Sequence, residues 1–158
     1  MREIEVKLYE IPESEIFNYI YEEGKKDLEK REPVKEIGGL LFGKIEERGK
    51  KVCLHIYKAV YCGKGSSGEV ELNPEKMIEA IKRYPNFRVL GWWHTHPGYG
   101  LFLSEKDIRT QKSWQSLNPY VVAMVIDSLV VMGLSNQKEV YSFFRINEKE
   151  EVRRVSVV

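Results

Sequence analysis

Cysteine is scarce in this sequence: only Cys53 and Cys62 occur among 158 residues. Two thiols make no disulfide framework, and their spacing fits no zinc knuckle, so both read as reduced, structural side chains. An excess of charge is also lacking. The 25 Lys and Arg nearly cancel the 24 Asp and Glu, which argues against an electrostatic nucleic-acid binder and so against nucleic acid as a partner. The longest apolar stretch, residues 120–126, is stopped by Asp127. A membrane span needs roughly 20 apolar residues, so no membrane partner is expected. The opening Met1-Arg2-Glu3-Ile4-Glu5 alternates charge and has no apolar core, so no secretory signal is expected and the chain reads as cytoplasmic. Internal repeats, low-complexity tracts and interdomain linkers are absent as well, so one domain over residues 1–158 is expected.

What remains is enough to build a core: 42% of the residues are hydrophobic, which excludes general disorder at this length. Ile4, Val6 and Leu8 alternate and predict a strand over 2–9. A helix is expected over 12–31, with Pro12 and acidic residues in its first turn and Ile16, Tyr19, Ile20 and Leu28 as its apolar stripe. Strands are expected over 36–46 and 51–61, joined by a turn at 48–50. Gly38 and Gly39 mark a place where another backbone or a ligand comes close. Residues 63–68 read as a flexible loop and 69–72 as a short strand. Asn73 caps a helix over 74–84 that turns Met77, Ile78 and Ile81 inward. A strand over 87–96, a loop at 97–100 and a helix over 104–117 follow. Further strands are expected over 120–126, 129–134, 140–146 and 152–158. Strands outnumber helices, which predicts an α/β fold with a mixed sheet and helices packed against it.

The chemistry gathers near the middle of the chain. His94 and His96, two of only three histidines, are two apart at the end of a strand, where alternate residues share a face. Two imidazoles on one face can hold a transition metal, and Asp107 in the next helix adds a third donor, leaving the open fourth position typical of catalytic zinc. Ser104-x-x-Asp107 is equally the signature of a helix capping box. A hydrolytic zinc site also needs a base. Glu36, a carboxylate opening an apolar, glycine-rich strand, is the candidate, with Glu32 as its competitor and a surface ion pair as the alternative role.

Taken together, the upstream Glu36-Ile-Gly-Gly-Leu-Leu-Phe-Gly43 and the run from His94 to Asp107, which is H-x-H, seven residues, then S-x-x-D, resemble the JAMM (MPN+) metalloproteases. Gly91-Trp92-Trp93 agrees with that family's entry into its first histidine. Within the family the sequence is most similar to the proteasome-lid deubiquitinases and their archaeal homologues. The resemblance implies a three-layer α/β/α sandwich similar to cytidine deaminases. It also implies a zinc isopeptidase that hydrolyses the bond after the C-terminal Gly-Gly of ubiquitin or a ubiquitin-like modifier. By the same resemblance His94, His96 and Asp107 hold one Zn2+, Glu36 is the general base toward a zinc-activated water, and Ser104 donates to the oxyanion. Residues Ser66, Ser67, Gly68, Glu69 and Val70 fall where the family binds the extended tail of its substrate. The implied partners are ubiquitin-like conjugates and the proteasome. Processing of a ubiquitin-fold sulfur-carrier protein, or a non-catalytic scaffold role, are the competing readings.

Overall fold

A computed structural model describes residues 2–66 and 68–158. The alternation of Ile4, Val6 and Leu8 produces strand β1 (Glu3–Leu8), with those three side chains turned to the main core. Helix α1 (Glu10–Glu29) follows. It begins two residues before the expected start, because Pro12 is still within the first turn, where a missing N–H costs no hydrogen bond. It ends where Arg31 adopts a left-handed φ of 57°. Its inward row is Ile16, Ile20, Gly24 and Asp27. Leu28, expected in that row, is exposed; the place it would take is filled by Asp27, which an ion pair with Lys64 makes tolerable.

Strands β2 (Ile37–Arg48) and β3 (Lys51–Lys64) form a long antiparallel hairpin. The close approach expected at the paired glycines is to backbone: a Cβ on Gly39 would fall 1.7 Å from the Val60 carbonyl oxygen. Helix α2 (Pro74–Arg83) is capped by the Asn73 side chain, which accepts from the Lys76 N–H. Its inward residues are Met77 and Ala80, continued by Tyr84. Ile78 and Ile81, expected to face in, are exposed, because the row 77–80–84 takes the sheet and leaves the neighbouring row outside. Strand β4 (Arg88–His96), helix α3 (Glu105–Leu117) and strand β5 (Val122–Asp127) come next.

Three expected strands are corrected. The run at 129–134 opens with a short helix, α4 (Ser128–Val131), because Asp127 accepts from the Leu129 and Val130 N–H groups and starts a turn of helix. The segment expected as one strand over 152–158 is two: β7 (Val152–Arg154), paired with β6 (Tyr141–Ile146), and β8 (Ser156–Val157), paired with β1. The short strand expected at 69–72 does not form either.

The described strands make one mixed sheet in the order β7-β6-β5-β4-β2-β3-β1-β8, with parallel pairs β4–β5, β1–β3 and β1–β8. Its two edges, β7 and β8, are separated by the single residue Val155. A chain spans at most about 3.6 Å per residue, so the sheet curls until its edges nearly meet. Helices α1 and α4 lie on one face, around Ile16, Ile20, Leu41, Trp93 and Met124. Helices α2 and α3 lie on the other, around Phe42 and Ala80 and around Trp92, Leu103 and Val125. This is the α/β/α layering that was expected. No described helix is long and apolar enough to cross a membrane.

Candidate metal centre

The C-terminal end of β4 carries the two histidines, and its neighbours bring the rest. In the β2–β4 register Gly38 lies opposite His94. The strands then part, but the Ile37 N–H still donates to Thr95 Oγ1 at 2.9 Å. That bond holds Glu36 beside His96. Glu36, His94 and His96 are all buried, and one donor atom from each lies within 4.8 Å of the others. Asp107 approaches from the start of α3, with Oδ2 3.1 Å from His94 Nε2 and 3.5 Å from His96 Nε2.

The loop between β4 and α3 selects the tautomer of His96. Gly98 and Gly100 have φ of 83° and 92°, a left-handed region that glycine enters freely. A Cβ on Gly98 would also meet Leu129 at 2.7 Å. The curl returns the Gly100 carbonyl to His96 Nδ1 at 2.9 Å. A carbonyl only accepts, so Nδ1 carries the proton, and in the neutral ring Nε2 presents a lone pair toward Asp107 Oδ2. Two acceptors facing each other need a cation or a proton between them. The same outer hydrogen bond orients histidine ligands in metal sites. His94 is held differently: its ring stacks on Trp92 at 4.6 Å, and Trp92 is fixed by its Nε1–H donating to Gln111. His94 Nδ1 is buried with no partner among the described residues. Two imidazoles and a carboxylate, converging with a lone pair left over, fit a borderline divalent ion such as zinc.

Ser104 and Asp107 form the capping box. Ser104 Oγ accepts from the Asp107 N–H at 3.1 Å, and Asp107 Oδ2 accepts from the Ser104 N–H at 2.9 Å. The sequence set capping against ligation as rival roles; in the fold a single oxygen, Oδ2, serves the cap and faces both histidines. Burial on its own would raise the Asp107 carboxyl, but His94 and His96 outweigh it and hold it well below the usual carboxylate range. Glu36 goes the other way. Burial raises it, and a hydrogen bond from the Tyr99 hydroxyl only partly offsets that.

The expected tail-binding loop is placed against Glu36 by its backbone. The Glu36 N–H donates to the Ser66 carbonyl at 2.7 Å, and the Gly65 N–H to the Glu36 carbonyl at 2.8 Å. Ser66, Gly68 and Glu69 are exposed and Val70 is half-buried; Ser67 lies outside the described residues. The Ser66 N–H donates to the Glu69 carbonyl at 2.8 Å. Lys106 on α3 pairs with Glu69 and Glu71. Val70, Trp92, Lys106, Asp107 and Trp114 line a groove of about 280 Å³. A larger hollow of about 720 Å³ lies at the seam of the sheet, lined by Arg2, Arg145 and Arg153, and shares no residue with the histidine cluster. Glu32, the competitor for Glu36, pairs instead with Lys35 at the surface.

Tyr99, Thr95 and Asp127 escaped the sequence reading as site residues. Asp127 is buried and accepts from the Gly98 N–H at 3.1 Å, anchoring the loop after the histidines. Its signal was present: an acid closing an apolar strand. Thr95 and Tyr99 carry no such mark.

Residues 14–120 match the family model described as "JAB1/Mov34/MPN/PAD-1 ubiquitin protease".

The chain belongs to this JAB1/MPN family.

Among curated proteins, this MPN chain is 33% identical over 97 residues to the ubiquitin carboxyl-terminal hydrolase RPN11 of Saccharomyces cerevisiae, covering 60% of this chain and 32% of that one. It is 32% identical over 97 residues to the 26S proteasome regulatory subunit RPN11 of Candida glabrata, with the same coverage. It is 28% identical over 118 residues to a protein named NAD(+) hydrolase TcpA from Theionarchaea archaeon (strain DG-70-1), covering 74% of this chain and 35% of that one. The chain therefore spans about a third of the length of these relatives. The solution structure of protein DSY2949 from Desulfitobacterium hafniense shares the fold, with a TM-score of 0.60, 18% identity, and coverage of 97% of this chain and 91% of that one.

Proposed function

We propose that this MPN chain is a zinc-dependent isopeptidase that cleaves after the Gly-Gly end of ubiquitin or a ubiquitin-like modifier. The observation that carries the reading is the convergence of His94 Nε2, His96 Nε2 and Asp107 Oδ2, with the buried Glu36 carboxylate beside them. His94, His96 and Asp107 would hold the ion. When bound, zinc polarises a carbonyl and makes hydroxide available near neutral pH.

The chain's own groups supply the rest. Glu36 takes a proton from the attacking water and returns it to the leaving lysine amine. Its burial raises its affinity for that proton, which suits a group that must carry it. Ser104 Oγ already accepts from the Asp107 N–H, so its hydroxyl hydrogen is left to donate to the developing oxyanion, an interaction worth a few kcal/mol in comparable sites. The extended tail lies along residues 65–70, where main-chain hydrogen bonding needs no particular sequence. The names of the yeast relatives support ubiquitin conjugates as substrate and the proteasome as partner.

The test is zinc per chain by elemental mass spectrometry, beside cleavage of isopeptide-linked and linear ubiquitin-fold substrates. Asp107→Ala is expected to lose one zinc relative to wild type and all cleavage. Glu36→Gln is expected to keep that zinc and lose cleavage. If Glu36→Gln loses the zinc, Glu36 is a ligand and the assigned roles fail. If Asp107→Ala loses no zinc, the segment is only a helix cap and the scaffold reading stands. Cleavage of linear fusions alone would favour carrier-protein processing.

A further inference from the structure

A second set of metal-type donors lies across the far end of the sheet. Cys53 and His55 are two apart in β3, and Val52, Leu54 and Ile56 between and beside them face the core under α1. The first two therefore point to the opposite face. In the register, Cys53 is flanked on both sides by carboxylates: Glu46 of β2 and Glu5 of β1. One donor atom from each of Glu46, Cys53 and His55 lies within 4.8 Å of the others. Helix α2 covers the same face only farther along, over Leu40, Phe42 and Cys62.

Cys53 is 3% exposed. Cations are close as well: Lys7 of β1 and Lys44 of β2 flank His55 in the register, and Arg48 lies 2.8 Å from Glu46 Oε1. The histidine is already oriented as a ligand would be: Nε2 meets Glu46 Oε1 at 2.8 Å, and Nδ1 meets the Tyr9 hydroxyl at 2.9 Å.

We propose that Glu46, Cys53 and His55 form a second divalent-metal site, suited to zinc. A thiolate, an imidazole and a carboxylate select a borderline ion over magnesium or calcium. Binding releases the Cys53 thiol proton to solvent. The His55 proton moves from Nε2 to Nδ1, where the Tyr9 oxygen accepts it, and Nε2 turns from Glu46 to the ion. Arg48 gives up Glu46 to the metal. The ion would tie β2 to β3 and stabilise the hairpin in proportion to its occupancy.

The experiment adds cobalt(II), then zinc, to chelator-treated protein. The histidine–aspartate centre contains no sulfur, so a near-ultraviolet thiolate-to-cobalt charge-transfer band reports the second site alone. The band is expected in wild type and in Asp107→Ala, and absent in Cys53→Ser. Zinc is expected at two ions per chain in wild type, one in each single variant and none in the double. Zinc should raise the Tm of Asp107→Ala, and Glu46→Gln should weaken that rise without removing a sulfur. No charge-transfer band in folded wild type, or an unchanged zinc count in Cys53→Ser, overturns the proposal. Either result leaves the histidine–aspartate centre untouched, since that centre is read from the Asp107→Ala count.

Discussion

The Tyr99 hydroxyl donates to the Glu36 carboxylate, joining the loop that follows the second histidine to the residue that opens β2. One loop therefore does two things. Through the Gly100 carbonyl it orients His96, and through Tyr99 it holds Glu36, the proposed base.

Tyr99→Phe tests this positioning. The hydrogen bond opposes the upward push that burial exerts on Glu36. Without it the Glu36 carboxyl rises further, and the deprotonated form needed by a base appears only at higher pH. The acid limb of the kcat/KM profile is expected to move to higher pH, with a loss of about tenfold below the limb, equivalent to ~1.4 kcal/mol. Zinc content should not change. A limb that stays in place would show that the contact does not tune Glu36.

Ser104 has one observed role, the cap, and one proposed role, at the oxyanion. Ser104→Ala removes the acceptor for the Asp107 N–H and should cost about 1 kcal/mol of stability. Loss of the proposed oxyanion donor should lower kcat by about a hundredfold with little change in KM. Ser104→Thr keeps a hydroxyl and is expected to restore most of both. A Ser104→Ala protein that melts earlier but turns over normally would leave Ser104 as a cap alone.

Lys64 docks the end of β3 onto α1. Its Nζ is 2.9 Å from Asp27 Oδ1 and 3.3 Å from Glu23 Oε1. Lys64→Met leaves Asp27, 2% exposed, without its cation, and should cost about 3 kcal/mol at neutral pH. Burial tends to raise Glu23, but Lys26 and Lys64 outweigh it and hold its carboxyl below the ordinary 4.5. The contribution of a depressed carboxyl is complete above its unfolded pKa and fades as pH falls through the folded one. The gap in urea midpoint between wild type and variant should therefore narrow from pH 7 to pH 3. An equal gap at both pH values would contradict this account.

The sequence was most legible where periodicity and local spacing carry the information. Ile4, Val6 and Leu8 announce β1, Asn73 announces the start of α2, and the H-x-H pair and Ser104-x-x-Asp107 mark the two segments that meet at the centre. It was least legible where tertiary packing chooses between equal local options. Ile78 and Ile81 are as apolar as Met77, and only the sheet decides which row turns inward. The run after Asp127 has strand-forming residues, yet one capping carboxylate commits it to a helical turn. Val155 splits what periodicity reads as one strand, because each half finds a partner at a different edge. The Tyr99–Glu36 contact and the grouping of Glu5, Glu46, Cys53 and His55 arise from loop curl and strand register, which local spacing does not encode.

The seam at Val155 also fixes an order of events in folding. Val6 pairs with Val157, so the contact that closes the curl joins positions separated by nearly the whole chain. Contacts of such separation carry the largest loop-closure cost and form once nearer contacts have already shortened the path. The β2–β3 hairpin and the β4–β5 pair are closed by much shorter loops. The histidine end of β4 can thus be assembled while the outer side of β1 is still an open edge, waiting for the last strand to cover it.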